Sequence, residues 1–278
     1  MGGRLIVLAS DFGYRDPYVG VMKGVIKSIN PEAEVVDLTH GITRHSILEA
    51  AVILLVSAGY FPRDTIFVVV VDPGVGSSRR AIAVETSNYV LIGPDNGSLS
   101  LLALKDGVRR VFDISNSKYR LSSVSHTFHG RDIFAPVAAW ISRGVPLEEI
   151  GVEVPASSLT VLKLSEPRIV NQDTVEASIL YVDVYGNIMT NVDSMLAGRM
   201  GFKIGEKLEI TVEPDTRGEC TYTTSFSLVE PGKLACYMNS WGYLEIAVSM
   251  GDASRILGIE AGGRVTIRRL RGSSSPHV

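Results

Sequence analysis

Residues 66–80, IFVVVVDPGVGSSRR, constrain the fold of this chain more than any other stretch. Six consecutive apolar residues, mostly β-branched, have the composition of a strand buried on both faces, and the run stops at an aspartate followed by Pro-Gly. Asp72 therefore falls where a central strand ends. A strand covered on both sides belongs in a helix-flanked, mostly parallel sheet, and ligands of such sheets collect beyond the carboxyl ends of the strands. A carboxylate held there on a stiff turn is a candidate site residue; the competing reading is a cap on the Pro-Gly turn.

The flanking sequence supplies the units such a sheet requires. Residues 5–9 form a short apolar strand that breaks at Ser10-Asp11-Phe12-Gly13, and apolar periodicity from Tyr18 to Ile29 predicts a helix stopped by Asn30-Pro31. A second strand spans residues 35–38, and Ser46-x-x-Glu49 reads as the capping box of a helix that closes at Gly59. After the strand at Ile66, AIAVE and YVLI predict a hairpin at a sheet edge. A turn-rich loop (GPDNG), a helix over 98–105 and a strand over 109–114 follow. Residues 115–125 are irregular and lead through TFHGRD into an amphipathic helix ending at Ile141, with Pro136 near its first turn.

The pattern changes after Gly144. Residues 151–172 carry no strong period and read as a linker. From Thr174 the chain consists of short β runs, VEASILYVDV, KLEITVE, CTYTT, KLACYMN, GYLEIAV and RVTIRRL, with turn signals that include Pro214-Asp215. Many strands with little helix predict a small antiparallel barrel or sandwich. The expected architecture is α/β: a mostly parallel N-terminal catalytic domain over 1–165, with the linker from about 151, an antiparallel β-barrel over 172–270, and a flexible tail at 271–278.

Several function classes are disfavoured at this level. A net charge of -3 gives no electrostatic drive toward nucleic acid, and the cluster Arg264, Arg268, Arg269 and Arg271 reads as a solvated strand edge. No apolar run approaches the ~18 residues that a membrane span needs. Two cysteines, Cys220 and Cys236, are too few for a disulfide framework or a zinc site, and no signal-peptide pattern precedes the first strand, so a cytoplasmic location is expected. There is no phosphate-binding loop or dinucleotide fingerprint, and the kinase-like fragments DFG and HGRD occur in the wrong order.

The polar residues suggest where chemistry would gather. Loops after the parallel strands carry Asp11, residues 37–40, Asp72 and the Asp95-Asn96 turn, all expected to face one cleft. Either Arg79 or Arg80 can return to it and pair with Asp72 bidentately, and His129 can relay a proton near neutral pH. His126-x-x-His129-x-x-Asp132 with Asp11 offers an alternative metal set, suited to phosphoester hydrolysis.

Seven ordered blocks, SDFGYRDPYVGVMKGVI, DLTHGI, VVVDPGVG, IGPDNG, TFHGRDIFAPVAA, VDVYGNIMTN and NSWGYLEIA, resemble the S-adenosyl-L-methionine (SAM) hydroxide adenosyltransferases, relatives of the fluorinating and chlorinating SAM enzymes. The resemblance implies a homotrimer with SAM bound between the N-terminal domain of one subunit and the C-terminal domain of its neighbour. It implies hydrolysis of SAM to adenosine and L-methionine, with no metal or other cofactor. It carries the catalytic roles to Asp72, Arg79 and His129, with Arg80 the adjacent alternative to Arg79. Asp11 is matched to the carboxylate that accepts the ribose hydroxyls, and Phe128 and Tyr185 to walls of the adenosine pocket. Asp183, Asn187 and Ser240 are matched to contacts with the methionine end and the base, and Trp241 to a position often aromatic. A carboxylate at Asp72 would repel a desolvated halide, and Gly130 stands where the fluorinating relatives present a serine, so halide chemistry is not expected. A SAM- or adenosine-binding protein without turnover is the alternative reading.

Overall fold

The computed structural model describes residues 4–212 and 216–270, which fall into two units, Met1–Leu162 and Lys163–Val278. In the first, strand and helix alternate as the apolar pattern requires: β1 (Ile6–Ser10), α1 (Tyr18–Ile29), β2 (Val35–Thr39), α2 (Ile47–Ser57) and β3 (Ile66–Val70). Helix α1 buries Val19, Met22 and Ile26 on one face, and the Asn30 N–H closes it on Ile26 O. Ser46 Oγ caps α2 by accepting from Glu49 N at 3.3 Å. The Ser46 N–H itself goes to Thr43 O, so a turn fills the reciprocal half of the capping box.

Strands β4 (Ala81–Thr86) and β5 (Val90–Pro94), helix α3 (Ser100–Asp106), β6 (Val108–Asp113), helices α4 (Ala135–Ser142) and α5 (Leu147–Ile150), and β7 (Val152–Val154) complete a seven-stranded sheet of order β2-β1-β3-β5-β4-β6-β7. Strands β2, β1, β3 and β5 are parallel and the remaining pairings are antiparallel. Strand β3 is buried along its whole length. Its alternate residues feed two cores: Ile66, Val68 and Val70 pack with residues of α1 and α4, and Phe67, Val69 and Val71 with residues of α2 and α3. Register pairs Ser10 with Val70, which puts the loops after β1 and β3 at the same sheet edge.

Three expectations for this unit need correction. The β4–β5 hairpin lies inside the sheet, because β5 pairs with β3 while β4 pairs with β6. The stretch from residue 151 read as a linker contains β7, an edge strand on β6. The segment after His129 opens with a π-helical turn, Gly130–Phe134, in which the Ala135 N–H reaches Gly130 O, and α4 beyond it is buried nearly all round rather than amphipathic. Pro136 has no N–H to offer four residues back; the Leu121 N–H takes the Asp132 carbonyl instead.

The second unit comprises β8 (Arg168–Asn171), β9 (Thr174–Val182), β10 (Ile188–Asp193), helix α6 (Ser194–Met200), β11 (Lys207–Val212), β12 (Thr216–Tyr222), β13 (Leu234–Met238), β14 (Tyr243–Val248), helix α7 (Ala253–Leu257) and β15 (Arg264–Arg269). The order β10-β14-β13-β12-β11-β15-β9, closed by β9 on β10, makes a seven-stranded barrel, with β8 paired outside on β9. Pairing is antiparallel except between β12 and β13, which run parallel. Strand β10 and the two helices were not legible as elements in the sequence. Arg268 pairs with Glu209 at 2.8 Å and Arg269 with Glu206 at 3.2 Å, but the strand edge expected for this cluster is not an edge: β15 pairs with β11 on one side and β9 on the other. Arg271, the tail at 271–278 and the Pro214-Asp215 turn lie outside the described residues. No helix among the described residues is long and apolar enough to cross a membrane.

The two cysteines form one bridge, Cys220–Cys236, both buried, joining the parallel pair β12 and β13. Its closed loop of 16 residues in sequence removes freedom from the unfolded chain worth about 3 kcal/mol. The double variant Cys220→Ala/Cys236→Ala should lose about that much unfolding free energy in guanidinium titration. An unchanged midpoint would mean the bridge contributes nothing to stability.

Candidate active site

The loop that leaves β3 turns back through two backbone bonds, Val75 N to Asp72 O and Ser77 N to Gly74 O, and the Ser77 hydroxyl accepts the Arg79 N–H at 3.2 Å. These turns return Arg79 to the strand end. Its Nε donates to Asp72 Oδ1 at 2.9 Å and its Nη2 to Asp72 Oδ2, a bidentate pair in which both side chains are nine-tenths or more removed from solvent. The guanidinium carbon also lies 5.6 Å from the ring centre of buried Phe134. Gly76, at φ +79°, allows the loop to press on its neighbour: a Cβ there would stand 2.4 Å from His126 O.

That neighbouring loop carries His129, the residue before the π-helical turn. Asp132, fully buried, accepts from Ser125 N at 2.8 Å and from Arg131, and Ser125 Oγ accepts from Phe128 N at 3.0 Å. His129 Nδ1 sits 2.7 Å from Arg79 Nη2. A guanidinium can only donate, so Nδ1 presents its lone pair and the neutral ring carries its proton on Nε2. Burial and then the Arg79 charge hold the His129 pKa below the ordinary histidine value.

Asp72, His129, Asp11 and Phe128 line one cavity of about 290 Å³, together with Asp16, Tyr18, Arg44 and His45 among others. Asp11 Oδ2 accepts from the His45 N–H at 2.9 Å, and His45 takes a left-handed backbone (φ 66°) to offer it. Sequence reasoning missed Arg44 and His45, which follow β2 in an exposed loop with no local pattern to mark them. Other strand-end groups are used structurally. Arg80 pairs with Asp95 and reaches Ser158, so Arg79 alone serves Asp72. Asn96 holds Val71 O, and Asp37 and His40 face each other, with Ser10 on the far side of the ring, rather than lining the cavity. The alternative metal set is not assembled, since Asp132 is committed to Arg131 and Ser125 and His129 Nδ1 to Arg79. No group of three or more His, Cys, Asp or Glu side chains among the described residues is placed to hold a metal ion.

In the second unit, Asp183, Tyr185, Asn187, Ser240 and Trp241 line a cavity of about 810 Å³. Phe128 and Tyr185, expected as walls of one pocket, therefore belong to cavities of different units. Asp183 organises the turn after β9 by accepting from the backbone of Tyr185 and Asn187 and from Asn187 Nδ2, each at 2.9 Å. Glu245, also missed in the sequence, is buried at this cavity and accepts from Tyr237 and from Asn239 Nδ2 at 2.8 Å. Asn239 in turn accepts the N–H groups of Trp241 and Tyr243 and so shapes the turn that displays Ser240 and Trp241.

Because the Arg79 charge helps depress the His129 pKa, Arg79→Met should raise it, read from the imidazole Cε1–H in an NMR titration. An unmoved titration would show that Arg79 exerts no electrostatic hold on the ring.

Models of the SAM hydroxide adenosyltransferase N-terminal and C-terminal domains match residues 6–151 and 177–266. The (R)-S-adenosyl-L-methionine hydrolase of Salinispora tropica is 34% identical over 94% of this chain and 97% of its own, and that of Methanocaldococcus jannaschii is 34% identical over 92% of each. The crystal structure of an uncharacterized conserved protein from Thermotoga maritima superposes with a TM-score of 0.88 at 37% identity, covering 94% of this chain and 99% of that one. With both domain models matched in order across most of its length, the chain belongs to the SAM hydroxide adenosyltransferase family.

Proposed function

We propose that this chain hydrolyses SAM to adenosine and L-methionine by attack of water at C5′, with Asp72, Arg79 and His129 as its catalytic group. The carrying observation is the Arg79 fork, which fixes Asp72 and His129 together at the end of β3 beside Asp11. Relatives over nearly the full length bear the name of that activity.

The chemistry asks little of an acid or a cofactor. As the water oxygen bonds to C5′, the C5′–S electron pair returns to sulfur, and the sulfonium leaves as the neutral thioether of methionine. The difficulty is water itself, a weak nucleophile that must be aligned with the C–S bond and relieved of a proton. Each Asp72 oxygen keeps a lone pair after binding Arg79 and can accept from that water. His129 has turned its only lone pair to Arg79, so its Nε2–H is a donor, and Asp72 is the group that takes the proton. Asp11 anchors the ribose hydroxyls, Phe128 and Tyr185 flank the adenosine, and Asp183, Asn187, Ser240 and Trp241 contact the base and the methionine end.

Division of these residues between one cavity in each unit supports catalysis in a domain over 1–165 that is completed by the 172–270 barrel of a neighbouring subunit in a homotrimer. Tyr185 and Met250, at 74% and 89% exposure, put apolar surface at the second cavity, as an interface would. We place the reaction in the cytoplasm, without nucleic acid or membrane as partner; the buried disulfide is the feature that runs against this location.

Asp72→Ala and His129→Ala should each lose at least about a hundredfold in turnover while still binding SAM, measured as adenosine release by liquid chromatography in chelator-containing buffer. Wild-type protein that binds SAM but releases no adenosine would make it a binder. Turnover should fall on the acid side below the ordinary histidine pKa, because protonating His129 would break its acceptance from Arg79. Finally, mixing inactive Asp72→Ala and Asp183→Ala subunits should restore about a quarter of wild-type activity if ring-forming contacts pair units from different chains. No recovery on exchange would refute the shared site.

A further inference from the structure

His40 is almost wholly enclosed, at 1% exposure, and no step of the reaction uses it. Its Nδ1 lies 2.6 Å from Ser10 Oγ, and its Nε2 stands 3.2 Å from Asp37 Oδ1; neither of the latter two atoms has a hydrogen-bond partner elsewhere among the described residues. Asp37 Oδ2 accepts from Lys23 Nζ at 2.6 Å and from the Tyr14 hydroxyl at 3.0 Å. Ser10 Oγ is also the acceptor for the Phe12 N–H at 3.3 Å, and His40 O accepts the Gly13 N–H at 2.7 Å. Asp11 sits between these tethers.

The proton positions along this chain follow from what each group can do. Asp37 only accepts, so the proton of the neutral ring is on Nε2. Nδ1 then accepts from the Ser10 hydroxyl, which leaves a Ser10 lone pair for Phe12 N–H. Burial pushes the His40 pKa down and keeps the ring in this neutral form. A protonated ring would put an N–H against Ser10 and displace the hydroxyl proton from its acceptor. Serine, histidine and aspartate here have the residue types of a hydrolytic triad, but Ser10 is 1% exposed and its oxygen is committed on both sides, so it cannot attack a substrate.

We infer that His40, acting through Ser10, is a positioning residue that fixes the backbone on either side of Asp11 and so sets the aim of the carboxylate assigned to the ribose. This rests on the SAM-hydrolase reading above and adds to it a buried support for the substrate anchor. A misaimed Asp11 weakens the hold on adenosine more than it alters Asp72, which keeps its own support from Arg79.

The test measures KM and kcat for SAM, adenosine affinity by calorimetry, and Tm, for the full-length Ser10→Ala, His40→Ala and His40→Asn proteins. Loss of the tether should raise KM and the adenosine Kd together by about tenfold, with kcat changed by less than about threefold. His40→Asn, whose amide oxygen can accept near the place of Nδ1, should recover most of that loss, which a merely space-filling role would not produce. Asp11→Asn is the control. If it leaves adenosine affinity unchanged, the ribose role of Asp11 falls; if it weakens binding while Ser10→Ala and His40→Ala do not, the positioning role falls. Should the buried variants fail to fold, Lys23→Met at the more exposed end of the chain decides: a rise of about twofold in KM is expected, and an unaltered KM overturns the inference.

Discussion

The Arg79 guanidinium is the interaction on which the first unit's site depends. Its planar fork has donors in fixed directions, and two of them close on Asp72 while a third meets His129 Nδ1. A lysine could supply the charge but not three aimed N–H groups. Without the fork, Asp72 and His129 would be enclosed polar groups with no common partner, an arrangement that costs stability and leaves both side chains free to turn. The surrounding backbone serves this contact. The Ser77 hydroxyl holds the Arg79 N–H, Gly76 lets the loop approach His126 O, and the Asp132 carboxylate draws Ser125 toward the π-helical turn.

Strand-end position alone does not distinguish a catalytic carboxylate from a structural one. Asp11, Asp72 and Asp95 follow strands of the parallel half-sheet and Asp37 lies within one, yet only Asp11 and Asp72 of these four line the cavity. Asp95 is consumed by Arg80 and the Thr160 N–H, and Asp37 by Lys23, Tyr14 and His40. The partners of each carboxylate, rather than its place on the sheet, decide what remains for a substrate.

This explains what the sequence revealed and what it concealed. Helix α1 was legible to its ends because its apolar spacing and the Asn30-Pro31 stop are local signals, and β3 because six apolar residues need cover on both faces. The place of the β4–β5 hairpin was not, since strand order is set by non-local pairing. Strand β10 was hidden because its run, IMTNVD, mixes Thr, Asn and Asp among the apolar residues. Asp72, Arg79 and His129 were found through blocks of sequence, but the choice of Arg79 over Arg80 came from how the loop turns. Glu245 was hidden inside GYLEIAV, where it looked like an outward strand residue and instead lies buried against Tyr237.

The second cavity, unlike the first, is lined by carboxylates without a cationic side chain, with a consequence for how the proposed reaction would proceed. Asp183 and Glu245 line the second cavity and no lysine, arginine or histidine does. SAM carries a sulfonium in addition to its amino-acid zwitterion, whereas adenosine is neutral and methionine is a zwitterion of no net charge. A cavity edged with carboxylates attracts the substrate through its net positive charge and loses that attraction when the C5′–S bond breaks. In the proposed reaction, bond cleavage itself would thereby weaken the hold of this cavity on the products. Tyr237 reinforces the arrangement, for burial and the Glu245 carboxylate keep its hydroxyl protonated and donating, which fixes the position of that charge.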